Sequence, residues 1–77
     1  MSCPPMGTVG GSIWGTDVYT NDSPLCVSAV HAGKITLSGG GSVTIEILPG
    51  RASYAGSTRN GVTSGAYGKW SCSYQFD

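Results

Sequence analysis

Residues 23–33, Ser-Pro-Leu-Cys-Val-Ser-Ala-Val-His-Ala-Gly, hold the one convincing helix signal in a chain otherwise rich in strand and turn residues. Ser23 stands at the N-cap position and Pro24 at the first helical position, where its missing N–H costs nothing. Gly33 can adopt the left-handed conformation that closes the C-terminal end. Cys26, Ala29, Val30 and Gly33 recur at helical spacing and make a narrow face of small residues, which lets other backbone approach closely. The pattern predicts a short central helix with strands packed tightly around it.

So small a helix needs support that the composition barely supplies. The 77 residues include two Trp, four Tyr and one Phe against 13 Gly. A domain of this size buries only about 60–65% of its unfolded surface. Each glycine adds conformational entropy that folding must offset. A covalent staple is the usual remedy. Four basic residues (Lys34, Arg51, Arg59, Lys69) balance four acidic ones (Asp17, Asp22, Glu46, Asp77), for a formal charge of zero. That is too little positive charge for nucleic-acid binding by counterion release. No apolar run approaches the ~20 residues of a membrane span. Met1-Ser2-Cys3-Pro4-Pro5 has neither the basic start nor the apolar core of a secretory signal, so any such signal is expected to be removed or outside this chain.

Three cysteines leave one unpaired. Cys3 sits in a proline-rich arm and Cys26 begins the helix; joining them would close a loop of about 24 residues, contributing roughly 3 kcal/mol. Cys72 alternates with Trp70, Tyr74 and Phe76 against Ser71, Ser73 and Gln75. It is expected on the apolar side of a half-buried strand, as a buried free thiol. Cys3–Cys26 is the favoured pair, while spacing leaves open a bond from Cys72 to either of the others.

The remainder reads as short strands. Ile13-Trp14 and Val18-Tyr19 flank the turn-forming Gly15-Thr16-Asp17. Residues 38–42, Ser-Gly-Gly-Gly-Ser, form a flexible loop before the strand Val43–Leu48, with Val43, Ile45 and Ile47 on one face and Pro49-Gly50 as the terminating turn. Asn60-Gly61 is a type I′ hairpin signal. The triple glycine is not a phosphate loop, because no helix and no Gly-Lys-Ser/Thr follow it.

Four blocks carry a resemblance: Trp14–Thr20; Ser23–Cys26 running into Ala29–Gly33; Gly40–Ile45 with Leu48-Pro49-Gly50; and Tyr54–Ser64, continuing to Trp70-Ser71 and Ser73–Phe76. In this order and spacing the chain resembles the LCCL domain family. The resemblance implies a single α+β domain over residues 1–77, with a central helix wrapped by two irregular antiparallel β-sheets and a Cys3–Cys26 disulfide. Family members are modules of secreted or surface proteins. Their proposed roles include binding lipopolysaccharide or other microbial surface components, innate defence, and contacts within extracellular matrix. No catalytic activity is ascribed to the domain, so the resemblance implies a binding module without a cofactor. Its expected partner is a microbial glycolipid or an extracellular protein or glycan.

Residue chemistry agrees with a module that is not an enzyme. His31 is the sole histidine. A Cys–His or Ser–His–Asp site around it needs a free Cys26, so His31 is expected to be structural, near the helix end, bonding backbone carbonyls of neighbouring loops. No ligand spacing for zinc exists, and Asp17, Asn21 and Asp22 do not form an EF-hand loop. Trp14 and Trp70 sit at strand positions and are expected in the core. The ligand-binding candidates are Arg51, Tyr54, Arg59 and Asn60, whose guanidinium forks and aromatic face suit phosphate, carboxylate or a sugar ring. The alternative is a structural or protein-interaction module with no small ligand.

Overall fold

The computed structural model describes residues 2–5 and 11–77; Met1, at the head of the signal-peptide reading, lies outside them. The fold is α+β, as expected. Strand β1 (Ser2–Cys3) is followed by β2 (Ile13–Thr16), β3 (Val18–Thr20) and the helix α1 (Leu25–His31). After the helix come β4 (Gly41–Ser42), β5 (Ile45–Arg51), β6 (Ser57–Arg59), β7 (Val62–Gly65) and β8 (Trp70–Phe76). A small sheet pairs β1 with β4, and a larger one runs β5-β8-β3-β2-β7-β6. The pairings are antiparallel except that of β2 with β7, which is parallel.

Seven residues make a helix of about 10 Å, too short to persist on its own. Tertiary contacts therefore hold it. Val27, Ala29 and Val30 are buried with Ile13, Tyr19, Val62 and Tyr74 in one core. Each valine so buried contributes about 1.5–3 kcal/mol. The C-terminus closes as a Schellman motif: Gly33 N–H donates to Val30 C=O, and Lys34 N–H to Ala29 C=O, with Gly33 at φ +80°. The N-terminus differs from expectation. Pro24 occupies the cap position without a side-chain cap, because the Ser23 hydroxyl is spent elsewhere, accepting from Trp14 N–H and meeting Thr20 Oγ1.

Cys3 and Cys26 form the disulfide, with Cα atoms 5.6 Å apart. It ties β1, and through β1 also β4, to the helix. The Ser-Gly-Gly-Gly-Ser stretch is thereby organised: Thr36 bridges to Gly40, and Gly41–Ser42 pairs with Cys3 and Ser2. Strand β5 begins later and ends later than the sequence pattern predicts. It runs through Pro49 and Gly50 to Arg51 instead of turning, which an edge position permits, since an edge strand tolerates a residue without an N–H. Asn60 and Gly61 have φ of 54° and 77°, the left-handed pair required by the type I′ turn between β6 and β7.

Candidate functional site

The two ends of the larger sheet separate the residues that sequence reasoning grouped together. Arg51 closes β5 on one edge, and Arg59 ends β6 on the other. Arg59 is engaged with Asp17 at 2.8 Å. Asn60 Nδ2 donates to the carbonyl of His31, satisfying one acceptor left open at the helix end. Tyr54 is buried. The four ligand candidates are therefore not one cluster, and three of them have structural partners.

His31 is buried at the centre of a polar network. Nδ1 lies 2.8 Å from the Tyr19 hydroxyl, and Nε2 lies 3.2 Å from both the carbonyl and the hydroxyl of Ser57. With the proton on Nε2, the ring donates to Ser57 C=O and accepts from Tyr19, so one imidazole joins β3 to β6. Burial pushes the Tyr19 phenol above its ordinary value, which keeps it a donor. A second such link joins Ser28 Oγ to the Tyr74 hydroxyl at 2.8 Å, and that hydroxyl donates to Ser23 C=O. Burial raises the Tyr74 phenol to about 12. Cys26 is oxidised in the disulfide, so it is not a nucleophile for His31 to activate. Asp17, Asn21 and Asp22 are each occupied, by Arg59, Trp70 Nε1–H and Thr20 Oγ1–H respectively.

Three expectations about bulk and burial need correction. Cys72 is free but exposed. Tyr74, two residues on in the same strand, bonds to Ser28 of the helix, whereas Cys72 lies opposite Pro49 of the edge strand β5. Trp14 and Trp70 are half-buried rather than core residues. Trp14 alternates with inward-facing Ile13 and Gly15 and so emerges on the other face of β2.

Both indoles instead join Tyr67 in an aromatic ladder. Ring centroids are 6.1 Å apart for Trp14–Tyr67 and 5.5 Å for Tyr67–Trp70, with interplanar angles of 65° and 81°. Tyr67 is 42% exposed. Gly65 makes room for Trp14, because a Cβ there would sit 3.2 Å from the indole. Tyr54 is the pillar of this region. Its hydroxyl accepts from Arg51 N–H and donates to Trp70 C=O, while its backbone exchanges two hydrogen bonds with Tyr67. Arg51 stands directly across from Trp70 in the β5–β8 pairing, a position that brings Cβ atoms within about 5.5 Å on one face. Gly50 permits that approach, since a Cβ at this position would collide with the Trp70 carbonyl. Sequence reasoning missed Tyr67, which lies among Gly, Ala and Lys with no alternation to mark it. Its signal was a lone aromatic in a loop, next to a strand that begins with tryptophan.

Elsewhere, Lys34, Ser42, Val43, Thr44 and Asp77 line an open pocket of about 260 Å³. No helix among the described residues is long and apolar enough to cross a membrane.

The sequence profile of the LCCL domain matches residues 1–74. The chain belongs to the LCCL domain family. Among its relatives, cochlin of Cavia porcellus is 41% identical over 63 residues, covering 82% of this chain and 11% of that protein. Cysteine-rich secretory protein LCCL domain-containing 2 of Homo sapiens is 41% identical over 56 residues, covering 73% and 11%. Clotting factor C of Tachypleus tridentatus is 36% identical over 67 residues, covering 87% and 6%. The chain thus spans about a tenth or less of the length of these curated relatives. This LCCL domain presents a stapled core and an aromatic ladder with Arg51, which makes no ion pair among the described residues, at the paired position across from Trp70.

Proposed function

We propose that this LCCL domain is an extracellular, non-enzymatic binding module that recognises glycoconjugates of microbial surfaces, lipopolysaccharide among them. The observation that carries the reading is Arg51, which makes no ion pair among the described residues. Tyr54 and the β5–β8 pairing fix its backbone across from the half-buried Trp70, whose ring meets the exposed Tyr67. A guanidinium so placed offers a planar fork to phosphate or carboxylate. Secretion is consistent with the Cys3–Cys26 bond, because disulfides persist in oxidising compartments.

The test is binding of the isolated domain to immobilised lipopolysaccharide by surface plasmon resonance. Arg51→Ala is expected to weaken binding tenfold or more, and Arg59→Ala, whose charge is already committed to Asp17, to change it less than twofold. Equal affinity in wild type and Arg51→Ala refutes the assignment. A second reading, a protein-interaction module, draws on Ile47, which is 67% exposed on the edge strand β5. Under that reading, Ile47→Lys abolishes partner binding and Arg51→Ala leaves it intact.

A further inference from the structure

Deepening the binding-module reading, on which it rests, we infer that Trp14, Tyr67, Trp70 and Arg51 form one subsite for an acidic sugar, a pyranose bearing a carboxylate or phosphate. Four features of this surface point to a saccharide. The rings of the ladder meet at 65° and 81°, so at least one ring face is left uncovered by its neighbours. An aromatic face is electron-rich and accepts the weakly positive C–H groups on the flat side of a pyranose. The ladder also has free polar edges: the Trp14 indole N–H and the Tyr67 hydroxyl have no hydrogen-bond partner among the described residues, whereas the Trp70 N–H is held by Asn21 Oδ1. A surface made to receive an apolar peptide has no use for two polar groups that the described residues leave unpartnered beside its rings, while a sugar with hydroxyls at its rim does.

Charge selects the kind of sugar. Arg51 lies across from Trp70, and Lys69 directly precedes it in the chain. Neither makes an ion pair among the described residues. Asp22, one residue beyond Asn21, accepts from the neutral Thr20 hydroxyl and keeps its negative charge. Arg51 and Lys69 outnumber it around Trp70, so the balance of charge there is positive and an anionic substituent is the complement. Preorganisation favours binding here as well, because Tyr54 fixes the backbone of Arg51, Tyr67 and Trp70 before any ligand arrives. Tyr54 acts through the others and is a positioning residue.

The probe is delipidated core oligosaccharide from lipopolysaccharide, which carries carboxylated and phosphorylated sugars, with neutral dextran as control. The two tryptophans give two indole N–H signals in a nitrogen-15 correlation spectrum. Titration is expected to shift the Trp14 N–H signal strongly and the Trp70 signal weakly. Tyr67→Ala and Arg51→Ala are each expected to reduce affinity tenfold or more with the amide spectrum otherwise native, and dextran to leave both signals in place. Oligosaccharide binding that leaves the indole signals and both variants unaffected overturns the subsite but not the module. Equal response to dextran overturns the acidic preference. Binding of whole lipopolysaccharide without any binding of the oligosaccharide assigns recognition to the lipid and overturns the saccharide inference alone. Absence of binding to both overturns the inference together with the glycoconjugate reading beneath it, as does an apolar peptide that shifts the same signals when no glycan does.

Discussion

Reducing the Cys3–Cys26 bond should remove between about a third and most of the stability expected for a domain of this size. The bond joins residues separated by 23 positions. In the chain-entropy description, closing about 24 residues removes roughly 11.6 cal/mol/K from the unfolded ensemble, about 3.4 kcal/mol at 25 °C. Marginal stability for 77 residues is about 4–11 kcal/mol, so the loss is large without being fatal by necessity. The comparison is cleanest in a Cys72→Ala background. Cys72 is exposed and free, so the change itself should cost less than about 0.5 kcal/mol, and no third thiol remains to exchange. Urea unfolding of the oxidised and reduced forms then differs by one bond and two hydrogens. With a slope near 1 kcal/mol/M for a small domain, the midpoint is expected to fall by about 3 M. The backbone amides of β4, which pairs with β1, should lose hydrogen-exchange protection before those of β8. A midpoint shift below about 1 M would refute the reasoning, because the arm would then be held by its own packing.

Two further outcomes follow from the buried polar links. Tyr74 has its phenol raised by burial from 10 to about 12. A raised acid favours the neutral form when folded, so its contribution is complete below pH 10 and lost as pH rises towards 12, about 2–3 kcal/mol in all. Urea midpoints of the Cys72→Ala protein measured from pH 8 to 12 should fall in that window, and Tyr74→Phe should flatten the dependence; an unchanged slope in Tyr74→Phe contradicts the assignment. Asn60 combines a positive φ with a donor to the His31 carbonyl. Asn60→Ala is expected to cost about 2 kcal/mol through backbone strain and the lost bond, and Asn60→Gly about 1, because glycine keeps the turn. Equal losses in thermal or urea unfolding would assign the whole effect to the hydrogen bond.

The local devices were legible because they depend on neighbouring residues alone. Asn60-Gly61 can hardly be other than a left-handed turn, and Gly33 ends the helix through bonds that reach back no further than Ala29. Ser23 shows the limit of such reasoning. Its side chain suits a helix cap, but β2 brings Trp14 N–H to it, a competitor nine residues away that no local rule registers. Pro49 shows another: it reads as a terminator until β5 is known to be an edge.

The residue pattern thus determined the helix, its C-terminal closure and the hairpin turn, since these follow from short-range sterics. The LCCL resemblance added the fold class and the cysteine pairing that spacing had left open. Tertiary structure alone decided which polar and aromatic groups would be consumed in holding the fold and which would be left for a ligand. Arg51 and Arg59 are eight residues apart in sequence yet on opposite edges of the sheet; Trp14 and Trp70 are far apart in sequence yet flank the same tyrosine. Strand order sets those distances. It is fixed by burying the apolar face and satisfying the backbone of the six strands of the larger sheet together, a condition that no single segment encodes.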